Sequence, residues 1–202
     1  MRSAALAAVI VTAVALIAAP LRAADPSTVN SDLVVRESEG VYFVAARFQV
    51  ARPRDVALGV LTDYERIPEF MPGVETSVVL ERTPGRAVIQ QEATSRLMMF
   101  KKRVRLVLEI EEGSNMLRFR DRCGQSFEQY EGAWRLSAVS GGTDIVYELT
   151  ARPAFDVPEF VLKRLLKRDS GLMIQGLRRE IERRPAQRVA ADGATIDKGG
   201  QR

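Results

Sequence analysis

Few side chains in this chain could do acid–base or nucleophilic chemistry. It contains no histidine, one cysteine (Cys123) and four tyrosines. A catalytic thiol normally works with a histidine, so Cys123 reads as a small residue at a strand end. A lone cysteine also closes no internal disulfide. One Cys, no His and scattered carboxylates make no ordinary transition-metal set. No metal ligands and no cofactor are expected. What remains for general acid–base work is Glu128, Asp121, Glu92 and the tyrosines.

Two of these carboxylates have a notable phase. Glu128 shares parity with Tyr130 and Trp134, and Asp121 shares parity with Leu117 and Phe119. A carboxylate on an apolar sheet face is costly unless paired. Gln90, Gln91 and Glu92 on a neighbouring strand are its possible partners. One reading is a small polar cluster at the end of an apolar pocket. The other is that the strand ends bend into solvent and leave these groups exposed.

The elements that would hold such groups are legible from periodicity. Val41–Val50 is rich in β-branched and aromatic residues and predicts a strand. Pro53 opens a helix through Leu61, and a second short helical piece, Tyr64–Phe70, is bounded by Pro68 and Pro72–Gly73. Six strand patterns follow in hairpin order over residues 74–151. In the third of them Val104, Leu106, Leu108 and Ile110 alternate with Arg103, Arg105, Glu109 and Glu111. Later strands align Tyr130, Gly132, Trp134 and Leu136, then Ile145, Tyr147 and Leu149.

A long helix, Val157–Arg184, closes the pattern. Val161, Leu162, Leu165, Leu166, Leu172, Met173, Leu177 and Ile181 recur at spacings of three and four. Asp156 and Glu159 around Pro158 make a D-x-x-E capping signal. At 1.5 Å per residue the helix would be on the order of 40 Å long. Strands with one apolar face need one cover, and this helix is the available one.

The ends read differently. Met1–Arg2 gives a positive start, Ala4–Ala19 is apolar, and Pro20–Ala24 ends in small residues, which predicts a signal peptide over residues 1–24 cut near Ala23 or Ala24. The apolar run is short of the roughly 20 residues that span a bilayer. Residues 185–202 are expected to be a disordered tail. Losing Arg2 and Arg22 with the leader leaves 28 basic against 26 acidic residues, a net charge of +2. That balance does not suggest a nucleic-acid binder. The basic residues nevertheless cluster at residues 101–105, at 118–122 and on the last helix. They are either solvated faces or a rim for anionic headgroups.

Two segments carry a family resemblance. Residues 60–74, VLTDYERIPEFMPGV, resemble the stretch from first helix to second strand in polyketide cyclase/dehydrase and coenzyme-Q-binding proteins of the START-like (SRPBCC) superfamily. Phe127–Leu136, with its aromatic–Gly–x–Trp core at Tyr130, Gly132 and Trp134, is similar to that family's central strand. The resemblance covers about residues 33–184. It implies an α+β helix-grip fold: about seven antiparallel strands in a curved sheet wrapped on the C-terminal helix, with two short helices after the first strand. It also implies a cavity between the two.

Candidate ligand-binding residues are Phe70, Met71, Met99, Leu106, Leu108, Phe119, Glu128, Tyr130, Trp134, Tyr147, Leu166 and Met173. Met98–Met99–Phe100 suits a surface that repacks around a loosely defined guest. Phe70 and Met71 would form a lip. The expected function is an exported, periplasmic or secreted bacterial protein that binds a hydrophobic small molecule, such as a lipid or isoprenoid quinone, with membrane contact through basic residues. The alternative is a cyclase/dehydrase-type enzyme using a carboxylate or tyrosine in the same cavity. A protein-interaction role, as in ribosome-associated relatives, fits poorly with export.

Overall fold

The computed structural model describes residues 32–97 and 100–185. The expected leader and tail, and Met98 and Met99, lie outside them.

Eight strands and three helices follow in chain order: β1 (Asp32–Ser38), β2 (Val41–Val50), α1 (Arg54–Leu61), α2 (Ile67–Phe70), β3 (Val74–Thr83), β4 (Arg86–Leu97), β5 (Phe100–Glu112), β6 (Met116–Asp121), β7 (Phe127–Val139), β8 (Gly142–Pro153) and α3 (Glu159–Arg183). A 3-10 turn, Tyr64–Arg66, precedes α2. The strands form one antiparallel sheet in the order β1-β2-β8-β7-β6-β5-β4-β3. β3 to β8 are successive hairpin neighbours. β2 then closes on β8 with Val44 opposite Leu149, Ala46 opposite Tyr147 and Phe48 opposite Ile145.

The count is eight strands, where the sequence predicts seven. β1 was the missing one, because an edge strand with little to cover has a weak signature. Only Leu33, Val34 and Val35 in it are apolar, and no residue of it is buried. The D-x-x-E cap is also absent. α3 starts at Glu159, its N-cap is Pro158, and no side chain caps it.

Period-two burial is clearest in β2, where Tyr42, Val44, Ala46, Phe48 and Val50 are buried and the residues between them are exposed. Val44, Ala46, Phe48 and Val50, with Ile89, Leu106, Leu108, Ile110, Leu117, Leu136, Ile145 and Leu149, build the concave wall. α3 lies over it through Ile174, Leu177 and Ile181, each at 1% exposure or less. Burying a side chain of that size contributes roughly 1.5–3 kcal/mol.

Two glycines set close approaches. A Cβ on Gly132 would collide with the Glu148 carbonyl and come within 2.7 Å of the Phe119 ring. The glycine therefore lets Phe119 lie across β7 between Tyr130 and Trp134. A Cβ on Gly176 would collide with the Phe70 carbonyl and approach Pro72 at 3.1 Å, so glycine lets α3 seat against α2.

The C-terminal end of α3 is pinned by charge. Arg52 donates to the carbonyls of Glu182 (2.6 Å) and Arg184 (3.2 Å), and the Ala51 amide donates to Glu182 Oε1. Arg184 bridges Asp63 and the buried Glu180. Among the described residues no ion pair clamps its first turn.

Candidate functional site

A cavity of about 510 Å³ lies between the concave face and α3. That is within the range of sites holding one drug-sized molecule. β5 supplies Val104 and Leu106, β7 supplies Phe127 and Tyr130, and β8 supplies Tyr147 and Leu149. The helix covers them with Leu162, Leu165, Leu166, Leu172 and Met173. Met71–Val74 close one side, and Phe155–Val157 stand beside the first turn of α3.

The deep wall is aromatic. Phe127 and Tyr130 have ring centroids 4.9 Å apart, Phe119 lies 6.0 Å from Tyr130, and Trp134 lies 4.3 Å from Tyr147. The Tyr130 and Tyr147 hydroxyls hydrogen-bond each other. Burial pushes Tyr130 up to about 12, against the pull of the Tyr147 hydroxyl, and the Asp121 charge adds to the rise. Burial raises Tyr147 well above the usual phenol range. Both are hydrogen-bonding groups at neutral pH and poor acids. A third polar point is Gln91, whose amide donates to Ser77 Oγ at 3.2 Å.

Six of the expected site residues line the cavity: Met71, Leu106, Tyr130, Tyr147, Leu166 and Met173. Leu108 and Trp134 face the same way but are packed in the core, and Phe119 lies beside them against the Tyr130 and Tyr147 rings. Phe70 stops one residue short of the lining. Met99 lies outside the described residues. Glu128 is a correction: it is exposed and does not line the cavity. The β7–β8 register shifts between Phe127 and Gln129, so Glu128 sits in a bulge and loses the parity it would share with Tyr130.

Asp121 is corrected on different grounds. It stands opposite Leu108, but its carboxylate accepts from the amides of Val107 (2.8 Å), Gly124 (2.9 Å) and Cys123 (3.3 Å). It anchors the β6–β7 link. Cys123 Sγ lies 3.3 Å from the same carboxylate, consistent with a structural position. Phe155 also lines the cavity, as do Asp156 and Val157, which the sequence assigns to the cap and start of the helix rather than to the site. They sit in a link with no periodicity to reveal which way they point.

The charged strand residues face the convex side. Glu109 there meets Arg86, Arg120 and Arg122, and Arg135 meets Glu148. Arg120 beside Glu109 holds that carboxyl below its ordinary value, against some opposing desolvation. Lys101 and Lys102 instead stand at the cavity mouth. Among the described residues no cluster of three or more Cys, Asp or Glu could hold a metal ion. No helix among them is long and apolar enough to cross a membrane.

The family model described as polyketide cyclase/dehydrase and lipid transport matches residues 50–178. The chain belongs to this family. Among solved structures, the TTHA0849 protein of Thermus thermophilus is 24% identical over 69% of this chain and 96% of its own, with a TM-score of 0.60. The Zhui aromatase/cyclase of a Streptomyces species is 17% identical over 71% and 95%, with a TM-score of 0.62. A STAR-related lipid transfer protein of Xanthomonas axonopodis is 16% identical over 75% and 98%, with a TM-score of 0.59. At these identities the likeness is one of fold. No curated protein matches the chain by sequence. Within this family a helix-grip domain is a hydrophobic-ligand binder, whether for transport or for cyclisation.

Proposed function

We propose that this protein is an exported carrier that holds one hydrophobic small molecule, a lipid, isoprenoid quinone or similar compound, between the sheet and α3. The observation that carries the reading is the cavity of about 510 Å³ with its aromatic and aliphatic lining. A protein interior is normally packed without space of this size. The signal-peptide pattern at residues 1–24 supports a periplasmic or secreted location. The exposed Phe160, at 73%, followed by exposed Lys163, Arg164 and Lys167, supports contact with an anionic membrane surface during lipid transfer.

The enzyme reading is weaker. A general acid or base works best with a pKa near the operating pH. Tyr130 is pushed to about 12, while Glu128 is exposed and Asp121 is engaged by three amides. The test is to purify the mature protein from a bacterial host, extract it with organic solvent and weigh the extract by mass spectrometry. A stoichiometric apolar molecule supports the carrier. An extract with none, together with no uptake of added hydrophobic probes, would sink it.

A further inference from the structure

The cavity is chemically ordered along its length. The inward positions of β5 read Lys102, Val104, Leu106 and Leu108, so charge stands at one end and apolar side chains follow. At about 3.3 Å per residue, Lys102 to Leu106, the last of these to line the cavity, spans roughly 13 Å. The helix does not add to this gradient: its lining includes Leu162, Leu165, Leu172 and Met173, with the oppositely charged Arg168 and Asp169 between the two apolar pairs.

The rim charges do not cancel. Arg168 and Asp169 lie 3.9 Å apart and offset one another. Asp156 on the β8–α3 link is the remaining rim carboxylate, against both Lys101 and Lys102. Both lysines are exposed, and among the described residues neither joins a salt bridge. The Lys102 ammonium sits 4.0 Å over the Phe155 ring. An aromatic face holds a cation without neutralising it. Lys102 is therefore positioned at the mouth with its charge available.

Resting on the carrier reading, we infer that the site takes a single-chain anionic amphiphile, with a carboxylate or phosphate head at Lys101 and Lys102 and its tail against Leu106, Tyr130 and Leu165. The tail enters first, because the inner lining offers no cation to an anion. An anionic head left in the apolar end would be unpaired and costly. At the mouth it keeps water on one side and two ammonium groups on the other.

The test compares cis-parinaric acid with its methyl ester by the rise of polyene fluorescence on binding to the mature protein at pH 7.5. The acid should bind tighter by on the order of fivefold, the scale of an exposed ion pair. The preference should shrink in 0.5 M salt, where screening is strong. The double variant Lys101→Gln/Lys102→Gln should bind both probes alike while keeping the wild-type melting temperature, and Lys102→Arg should retain the preference. Equal binding of acid and ester by the wild type, or a preference that survives in the double variant, overturns the head-group assignment and leaves the carrier reading intact. Binding of neither probe, with no apolar molecule in the organic extract, overturns both.

Discussion

Arg184 Nη2 and Asp63 Oδ2 lie 2.6 Å apart, joining the C-terminal end of α3 to the link after α1, 121 residues away in the chain. Arg184 is only 23% exposed, and it also reaches the buried Glu180. Arg184→Ala should therefore leave two carboxylates short of a partner. The expected cost is about 1–3 kcal/mol, a fall of about 3–8 °C in melting temperature. Asp63→Asn should cost less, since Glu180 keeps both arginines. Thermal melts of the two variants check the order.

Gly176 and Gly59 make a matched pair. An alanine Cβ at 176 would meet the Phe70 carbonyl, whereas one at 59 meets nothing within 4 Å. Gly176→Ala should destabilise by about 1–3 kcal/mol through overpacking. Gly59→Ala, inside α1, should stabilise by about 0.4–1 kcal/mol. Urea denaturation of both would read the difference, and similar midpoints would contradict the seating of α3 on α2.

All four tyrosines are raised above the ordinary phenol value. Burial is the leading cause at Tyr42, Tyr64, Tyr130 and Tyr147, and Glu112 accepts the Tyr64 hydroxyl at 2.7 Å. A folded-state pKa above the unfolded value of about 10 favours the native state while the phenol stays protonated. Stability is then fully present below pH 10 and is lost as pH climbs from 10 through the folded values. Absorbance at 295 nm should stay flat to about pH 10.5 and rise only with loss of near-ultraviolet circular dichroism. An early gradual rise in the folded protein would refute this.

Acid should act on other groups. Glu109 is lowered by its hydrogen bond to Arg120, against desolvation. At Glu180 burial works upward, but the bonds from Arg183 and Arg184 outweigh it and the net shift is down. Depressed carboxyls contribute stability above their unfolded value of about 4.3 and lose it as pH falls through the folded values. The melting temperature should hold between pH 7 and 5 and drop below about 4.5. Glu109→Gln should flatten that drop.

Leu166→Trp should fill part of the cavity. The expected outcome is at least tenfold weaker binding of cis-parinaric acid with a melting temperature unchanged or slightly higher, because the added volume enters empty space rather than packed core. A large fall in stability with binding retained would mean that the space lies elsewhere.

Much of this architecture was legible because burial has a period. Val44, Ala46 and Phe48 alternate strictly, and so do Ile145, Tyr147 and Leu149, so face and order could be read. The inward set on β5 and α3 followed from the same rule and supplied Leu106, Leu166 and Met173. Parity fails where a bulge intervenes, and one extra residue at Phe127–Gln129 turned Glu128 outward. It also gives no account of what a side chain bonds. Asp121 has the expected register, yet its oxygens serve three amides. The rim at Phe155–Val157 has no periodicity, so its share in the site emerged only in three dimensions.

The two ends of α3 answer to different demands. Residues 180–184 hold the fold together through Arg52, Asp63 and Glu180, while residues 162–173 contribute the side chains that line the cavity. Substitutions around the mouth therefore leave the clamp untouched, and distant sites of this kind usually contribute independently. A lineage could change what it binds by altering a few residues on one half of a single helix and the start of β5, with the melting temperature as the quantity that stays constant.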